Sequence, residues 1–225
     1  MVTRYIKEMI RAPFEVARNL YRYRQILRQM IISELKGRFA GSIGGLLWNF
    51  VNPVLMLIVY LLVFVYIFKL RVGGAGASGA SAVYIMAGLF PWVILAEGLS
   101  RGTSSLIENA NLIQKTYFPT EILTAKAVLA PFIGYGVALL LLASYKIIFD
   151  GFWVIIFILP LILLLQVVFT LGVAFLGSTL SVFFRDVMQI VSLVINFWMY
   201  LTPIVYSMDM LPEWAKKVMY LNPLY

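Results

Sequence analysis

Charged side chains are absent from five stretches of the chain, 39–68, 72–96, 127–145, 151–184 and 187–208, and are confined to the gaps between them. A helix needs about 20 apolar residues to cross a hydrocarbon core, and each stretch offers close to that or more. A soluble chain of this size would carry charge on one face of every helix. The pattern therefore predicts an all-α, polytopic helical membrane protein with five spans. The first begins near 46 and runs to 68, with Pro53 inside it and a kink or broken turn expected there. The second covers about 83–99 and holds Pro91 and Trp92. The third lies in 127–145, the fourth in 151–184 with Pro160 near its start, and the fifth in about 187–206 with Asn196 and Pro203.

Ahead of the spans the period changes. Val16, Leu20, Tyr23, Leu27 and Met30 recur in steps of four and three, while Arg11, Glu15, Arg18, Arg22, Gln25 and Gln29 share another face. This predicts an amphipathic helix with a basic face, in a cytoplasmic or interfacial region 1–38 preceding a transmembrane domain 39–225. It fits a helix lying on anionic lipid, with a helix that also docks a cytoplasmic partner as the alternative. Seven basic residues and no apolar run in the first 30 positions predict no cleaved leader.

The gaps differ in character. The linker 72–81 is rich in Gly, Ala and Ser and predicts a flexible loop. The longest polar interval, 101–126, carries exposed-looking apolar and aromatic residues, which suggests a surface that something covers or a short helix packed under the bundle. Glu97, at the end of the second span, predicts an interfacial, solvated carboxylate, with a buried paired role as the alternative. The tail after Met208 is too polar to span and predicts short helices or re-entrant turns.

Charge sets the orientation. The chain of 225 residues has 18 Lys and Arg against 10 Asp and Glu, a net charge of +8. With the N-terminus cytoplasmic, 13 basic residues fall on the inner segments and 5 on the outer ones, the bias expected of a membrane protein. The basic surplus then suits membrane lipid rather than nucleic acid.

Candidate chemistry is mostly exclusion. With no Cys and no His, thiol nucleophiles, imidazole bases and Cys/His metal sites are ruled out. No Gly-Lys dipeptide occurs, so there is no Walker A phosphate loop. The acidic residues Asp150, Asp186, Asp209 and Glu213 stand singly, which disfavours a metal-dependent transferase. Ionisable residues are too scarce within the spans for a proton or sodium relay. Aromatics are plentiful, 16 Phe, 13 Tyr and 5 Trp. Many sit near span ends, as belts do. Tyr60, Phe64, Trp92, Phe197 and Tyr200 lie inside spans and are candidates to line a pathway and stack on sugar rings.

Several phrases go beyond composition. They are Glu34-Leu35-Lys36-Gly37-Arg38-Phe39, Gly41-Ser42-Ile43-Gly44, Leu47-Trp48, Asn52-Pro53, Gly88-Leu89-Phe90-Pro91-Trp92, Asn111-Leu112-Ile113-Gln114-Lys115, Tyr117-Phe118-Pro119, Phe184-Arg185-Asp186-Val187, Thr202-Pro203-Ile204-Val205-Tyr206 and Leu221-Asn222-Pro223-Leu224. In this order they resemble the membrane subunit of ABC-2-type exporters of bacterial polysaccharides, the group of O-antigen, capsule and teichoic-acid exporters. The resemblance runs from about 34 to 225.

It implies an ABC-2-type transmembrane domain in the bacterial inner membrane, with a second copy of the chain completing the pathway. Two copies of a separate ATPase subunit would bind ATP and Mg, and this chain would bind no cofactor. The substrate would be a lipid-linked glycan. The coupling segment would comprise Asn109, Asn111, Leu112, Gln114, Lys115, Tyr117, Phe118, Pro119 and Glu121, with the N-terminal helix as a second docking element. The polar segment near 207–225, with Tyr206, Pro212, Trp214 and Asn222, would form an outer gate. The family has a sixth span beyond the Asn-Pro-Leu phrase, so truncation of the last helix is expected. An exporter of small hydrophobic molecules and a non-transporting scaffold remain alternatives.

Overall fold

The computed structural model describes residues 2–38, 41–42, 44–60, 62–63, 67, 78–115, 117–150, 154–204, 206, 211–219 and 222; at 2–10, 46, 49–50, 57, 60, 78–83, 145, 149–150, 155–156, 214–215 and 218 the backbone alone is described. The described residues form helices and turns and no strand. In order these are α1 (Val2–Arg22), α2 (Arg24–Gly37), a single 3₁₀ turn (Gly45–Leu47), α3 (Trp48–Tyr60), α4 (Ser78–Glu108), α5 (Ala110–Lys115), α6 (Glu121–Asp150), α7 (Ile155–Phe183), α8 (Asp186–Leu201) and α9 (Glu213–Met219). Of the linker 72–81, read in the sequence as a flexible loop, 72–77 lies outside the described residues, while 78–81 is already the first turn of α4. In the tail, α9 is a short helix of the kind expected, and 209–210, 220–221 and 223–225 lie outside the described residues.

The N-terminal periodicity is reproduced as burial. Val16, Leu20, Tyr23, Leu27 and Met30 are half-buried and Ile31 is buried, while Arg11, Glu15, Arg18, Arg22, Gln25 and Gln29 are exposed. The stripe is carried by two helices rather than one. Tyr23 adopts φ −99° and ψ 22° between them, in the sparsely populated bridge region, so the axis bends while the apolar face stays continuous. That face lets α2 pack on α6.

The helices α4, α6 and α7 form the centre. Leu95, Leu99, Val128 and Ala174 are buried between them, with Trp92, Ile195 and Ile204 closing the same cluster. Among lipid tails, apolar burial gains little, so helices associate by close approach and polar ties. Both are present. A Cβ added to Gly102 of α4 would sit 2.7 Å from the Ala174 Cβ of α7, and one added to Gly177 would sit 2.6 Å from Thr103 Oγ1. The two backbones are therefore as near as glycine allows. Beside this contact runs a chain of buried hydroxyls. Ser105 and Thr124 are 2.9 Å apart, Thr124 donates to Ser178 at 3.2 Å, and Ser181 donates to the Thr103 carbonyl at 2.8 Å.

Glu121–Ile148 and Phe157–Phe183 are long and apolar enough to cross a membrane. On α7 the outward residues Phe157, Leu161, Leu164, Leu165, Val168 and Leu176 are all exposed. A charge-free face of that extent suits hydrocarbon surroundings.

The helix that carries the second apolar stretch runs on past 99: α4 continues unbroken to Glu108. Charged residues end a hydropathy run, but they do not end a helix when they find partners. The fifth stretch stops being helical at Leu201, with Thr202 extended at φ −105° and ψ 128°. Pro203 imposes this, because its ring disfavours the helical conformation for the residue before it.

Candidate functional site

At one end of the bundle, α4 breaks at Asn109, the six-residue α5 follows, and α6 starts at Glu121. The break is internally stitched: Asn109 Nδ2 donates to the Ser105 carbonyl at 2.8 Å, and the Leu112 and Ile113 amides donate to the Asn109 carbonyl. Among the residues read as a coupling segment, Asn111, Gln114, Lys115 and Tyr117 are exposed. Asn109, Leu112, Phe118, Pro119 and Glu121 are half-buried. Tyr117 is fully exposed at the apex. A ring this exposed is free to meet another surface. The Asn19 side chain of α1 donates to Glu121 Oε1 at 3.5 Å, which brings the N-terminal helix to the same end.

Just inside this end lies a charge network that sequence reasoning missed. Glu34 of α2 pairs with Arg101 of α4 and lies 3.4 Å from Lys126 Nζ of α6. Glu97 pairs with Arg101 one turn on, at 3.2 Å, and lies 2.5 Å from Arg38 Nη2. That Arg38 contact is an ion pair off the hydrogen-bond line, and the buried Arg38 Nε meets no acceptor among the described residues. Lys126 also donates to Asn109 Oδ1 at 3.4 Å. Glu97 is thus a half-buried, doubly paired group, which overturns the solvated reading of it. Its side chain is 23% exposed and that of Glu34 10%. A polar cavity of about 250 Å³ adjoins the network, lined by Glu34, Arg101, Ser105, Glu108, Asn109 and Lys126. Only the Glu97–Arg101 spacing of four was visible in the sequence.

The opposite end is closed by a clasp. The Trp198 indole donates to Asn222 Oδ1 at 2.9 Å, and Asn222 Nδ2 donates to Thr202 Oγ1 at 3.0 Å. The Tyr206 hydroxyl donates to the Tyr200 carbonyl at 2.8 Å. Pro212 is exposed beside α9, and the Trp214 side chain lies outside the description. Within this end is a mainly apolar cavity of about 640 Å³, lined by Tyr84, Pro91, Trp92, Gln166, Phe169 and Pro203 among others. Gln166 of α7 donates to the Pro91 carbonyl at 2.6 Å across it.

Of the five pathway candidates, the side chains of Trp92, Phe197 and Tyr200 are described. Trp92 is buried edge-on against Trp198, ring centroids 6.0 Å apart, at the rim of that cavity. Phe197 and Tyr200 are exposed on α8. Phe64 lies outside the described residues, as does the Tyr60 side chain. On α8, Gln189, Ser192 and Asn196 are exposed as well and recur with Tyr200 in steps of three and four. They form a polar-aromatic stripe on a helix whose other residues after Asp186 are apolar. Among the described residues no group of acidic side chains could hold a metal ion.

The described helices form a bundle with apolar outward faces, an exposed turn at one end and a hydrogen-bonded clasp at the other. Residues 25–225 match the family model for the ABC-2 type transporter. The chain belongs to this family of transport subunits and is not itself a catalyst. It is 30% identical over 215 residues, 93% of its length, to the O-antigen export system permease protein RfbA of Myxococcus xanthus, covering 79% of that protein. It is 34% identical over 195 residues to an O-antigen export system permease protein RfbA of Klebsiella pneumoniae, with 85% of this chain and 72% of the relative covered.

Proposed function

We infer that the chain is the permease subunit of an ATP-driven exporter that moves a lipid-linked, O-antigen-like polysaccharide across the bacterial inner membrane. The observation that carries this is the similarity to O-antigen export permeases along 93% of the chain. The working assembly is two copies of this chain with two copies of an ATPase, docked on α5, the Tyr117 apex and the N-terminal helices. In the membrane the chain has a cytoplasmic N-terminus and five spans, α4 and α6 to α8 among them.

The stripe on α8 supports the pathway role. Amides facing hydrocarbon are costly, so Gln189 and Asn196 favour a hydrated channel or the second copy. Stacking on Phe197 and Tyr200 would contribute about 0.5–1.5 kcal/mol per ring, weak enough to break as a polymer slides. Both rings are exposed, so Leu at either position removes stacking and no core contact. Phe197→Leu and Tyr200→Leu are expected to lower surface glycan several-fold at matched protein level. Wild-type glycan in both would assign the stripe to lipid or to the second copy. The 640 Å³ cavity favours one second reading, since that volume suits a small hydrophobic molecule. Loss of hydrophobic-compound efflux with unchanged glycan in a deletion strain would select it.

A further inference from the structure

The charge network joins four parts of the chain that have separate tasks. Glu34 stands on the amphipathic helix α2, Arg101 and Glu97 on α4, Lys126 on α6, and Asn109 at the break leading into α5. Each link is direct, and the cations outnumber the two carboxylates, so each carboxylate bridges two of them. We propose that Glu34 is a positioning residue for transport, fastening α2 to α4 and α6 so that a displacement of α5 moves all three as one body.

The geometry favours a fastening over incidental surface pairing. Exposed ion pairs contribute little because water screens them and long side chains lose entropy. Glu34 is nine-tenths covered and Lys126 is 15% exposed, so this pair is held where screening is weak. Among the described residues, neutralising Glu34 leaves Glu97 as the ion-pair partner of Arg101 and leaves Lys126 with no ionic partner, only amide oxygens. The helices α4 and α6 still hold together through Ser105, Thr124 and the apolar core. What loosens is α2 against the pair. Because α2 is amphipathic and packs on α6 by one face, it can stay at the surface while its motion is no longer tied to α5.

This rests on the reading of the chain as an ATP-driven exporter. The test uses the complete complex in inverted membrane vesicles and measures glycan taken up per ATP hydrolysed. Glu34→Gln is expected to lower that ratio about tenfold, with complex yield unchanged, as befits a residue that transmits coupling without touching either site. The chain has no Cys, so a Glu34→Cys, Lys126→Cys variant places one pair of thiols in each copy, and the same complex with a wild-type chain controls for reaction of the linker with the ATPase. The double variant should show the same low ratio when reduced. Joining the thiols with a flexible bismaleimide should restore the ratio, because a covalent tie replaces the ionic one. A wild-type ratio for Glu34→Gln, or no recovery on cross-linking, overturns the proposal. A cross-linked complex that stops entirely overturns it too, by showing that α2 must part from α6 in each cycle. No ATP-dependent uptake by the wild-type complex would instead remove the exporter reading.

Discussion

Replacing Tyr117 and Phe118 together by Ala is expected to weaken attachment of the ATPase about thirtyfold. Loss of an aromatic anchor at an interface typically costs about 2 kcal/mol or more. The two rings are not equivalent. Tyr117 is fully exposed, so its removal takes nothing from the fold. Phe118 is half-buried, and its removal combines lost docking with some lost packing. Tyr117→Ala is therefore the cleaner variant and should account for most of the effect. Affinity of the detergent-solubilised chain for its ATPase is the measurement, with surface glycan as the cellular readout. Membrane insertion should be unaffected. Unchanged affinity in the double variant would assign both rings to local packing and move the docking surface elsewhere.

The second large effect is expected at the α4–α7 crossing. Gly102→Leu should abolish accumulation of folded protein, and Gly102→Ala should already lower thermal stability. A Cβ at Gly102 would lie 2.7 Å from the Ala174 Cβ, an atom that no rotamer change can move away. Relief requires the helices to separate. That stretches the 2.8 Å bond from Ser181 to the Thr103 carbonyl and opens the hydroxyl chain beside it. Overpacking of this kind typically costs about 1–3 kcal/mol. A control on the same pair of helices has the opposite sign. A Cβ at Gly172 of α7 meets nothing within 4 Å. Gly172→Ala should be neutral or stabilising by up to about 1 kcal/mol, the helix-propensity difference between the two residues. Thermal unfolding in detergent distinguishes the two. Equal melting temperatures for the two Ala variants would mean that the close crossing is not a constraint on the fold.

The parts legible in the sequence were those set by neighbours in the chain. The steps of three and four from Val16 to Met30 gave the buried stripe of α1 and α2 correctly, because one helix turn brings those residues onto one face. The bend at Tyr23 left no such mark: nothing in the residues around it breaks a helix, and the stripe runs through it. The interval 101–126 was read as carrying exposed apolar and aromatic residues, and Tyr117 is exposed there. Asn222 was anticipated as an element of the outer segment, but not its grip on Trp198 and Thr202.

By itself, the sequence determined that this is an all-helical membrane protein with an amphipathic front and no phosphate loop or thiol and imidazole chemistry of its own. Hydropathy, charge placement and motif content are local or compositional, so they survive without knowledge of the fold. The tertiary structure decided where α4 ends, what Glu97 does and why Gly102 is glycine. Hydropathy ends a segment at its first charges, but α4 carries Glu97 and Arg101 onward because Arg38 and Glu34 meet them, and Arg101 and Glu34 are 67 positions apart. Partners that distant leave no periodicity in the chain. Likewise, a glycine that marks flexibility in isolation becomes a contact surface only when another helix, here through Ala174, is laid against it.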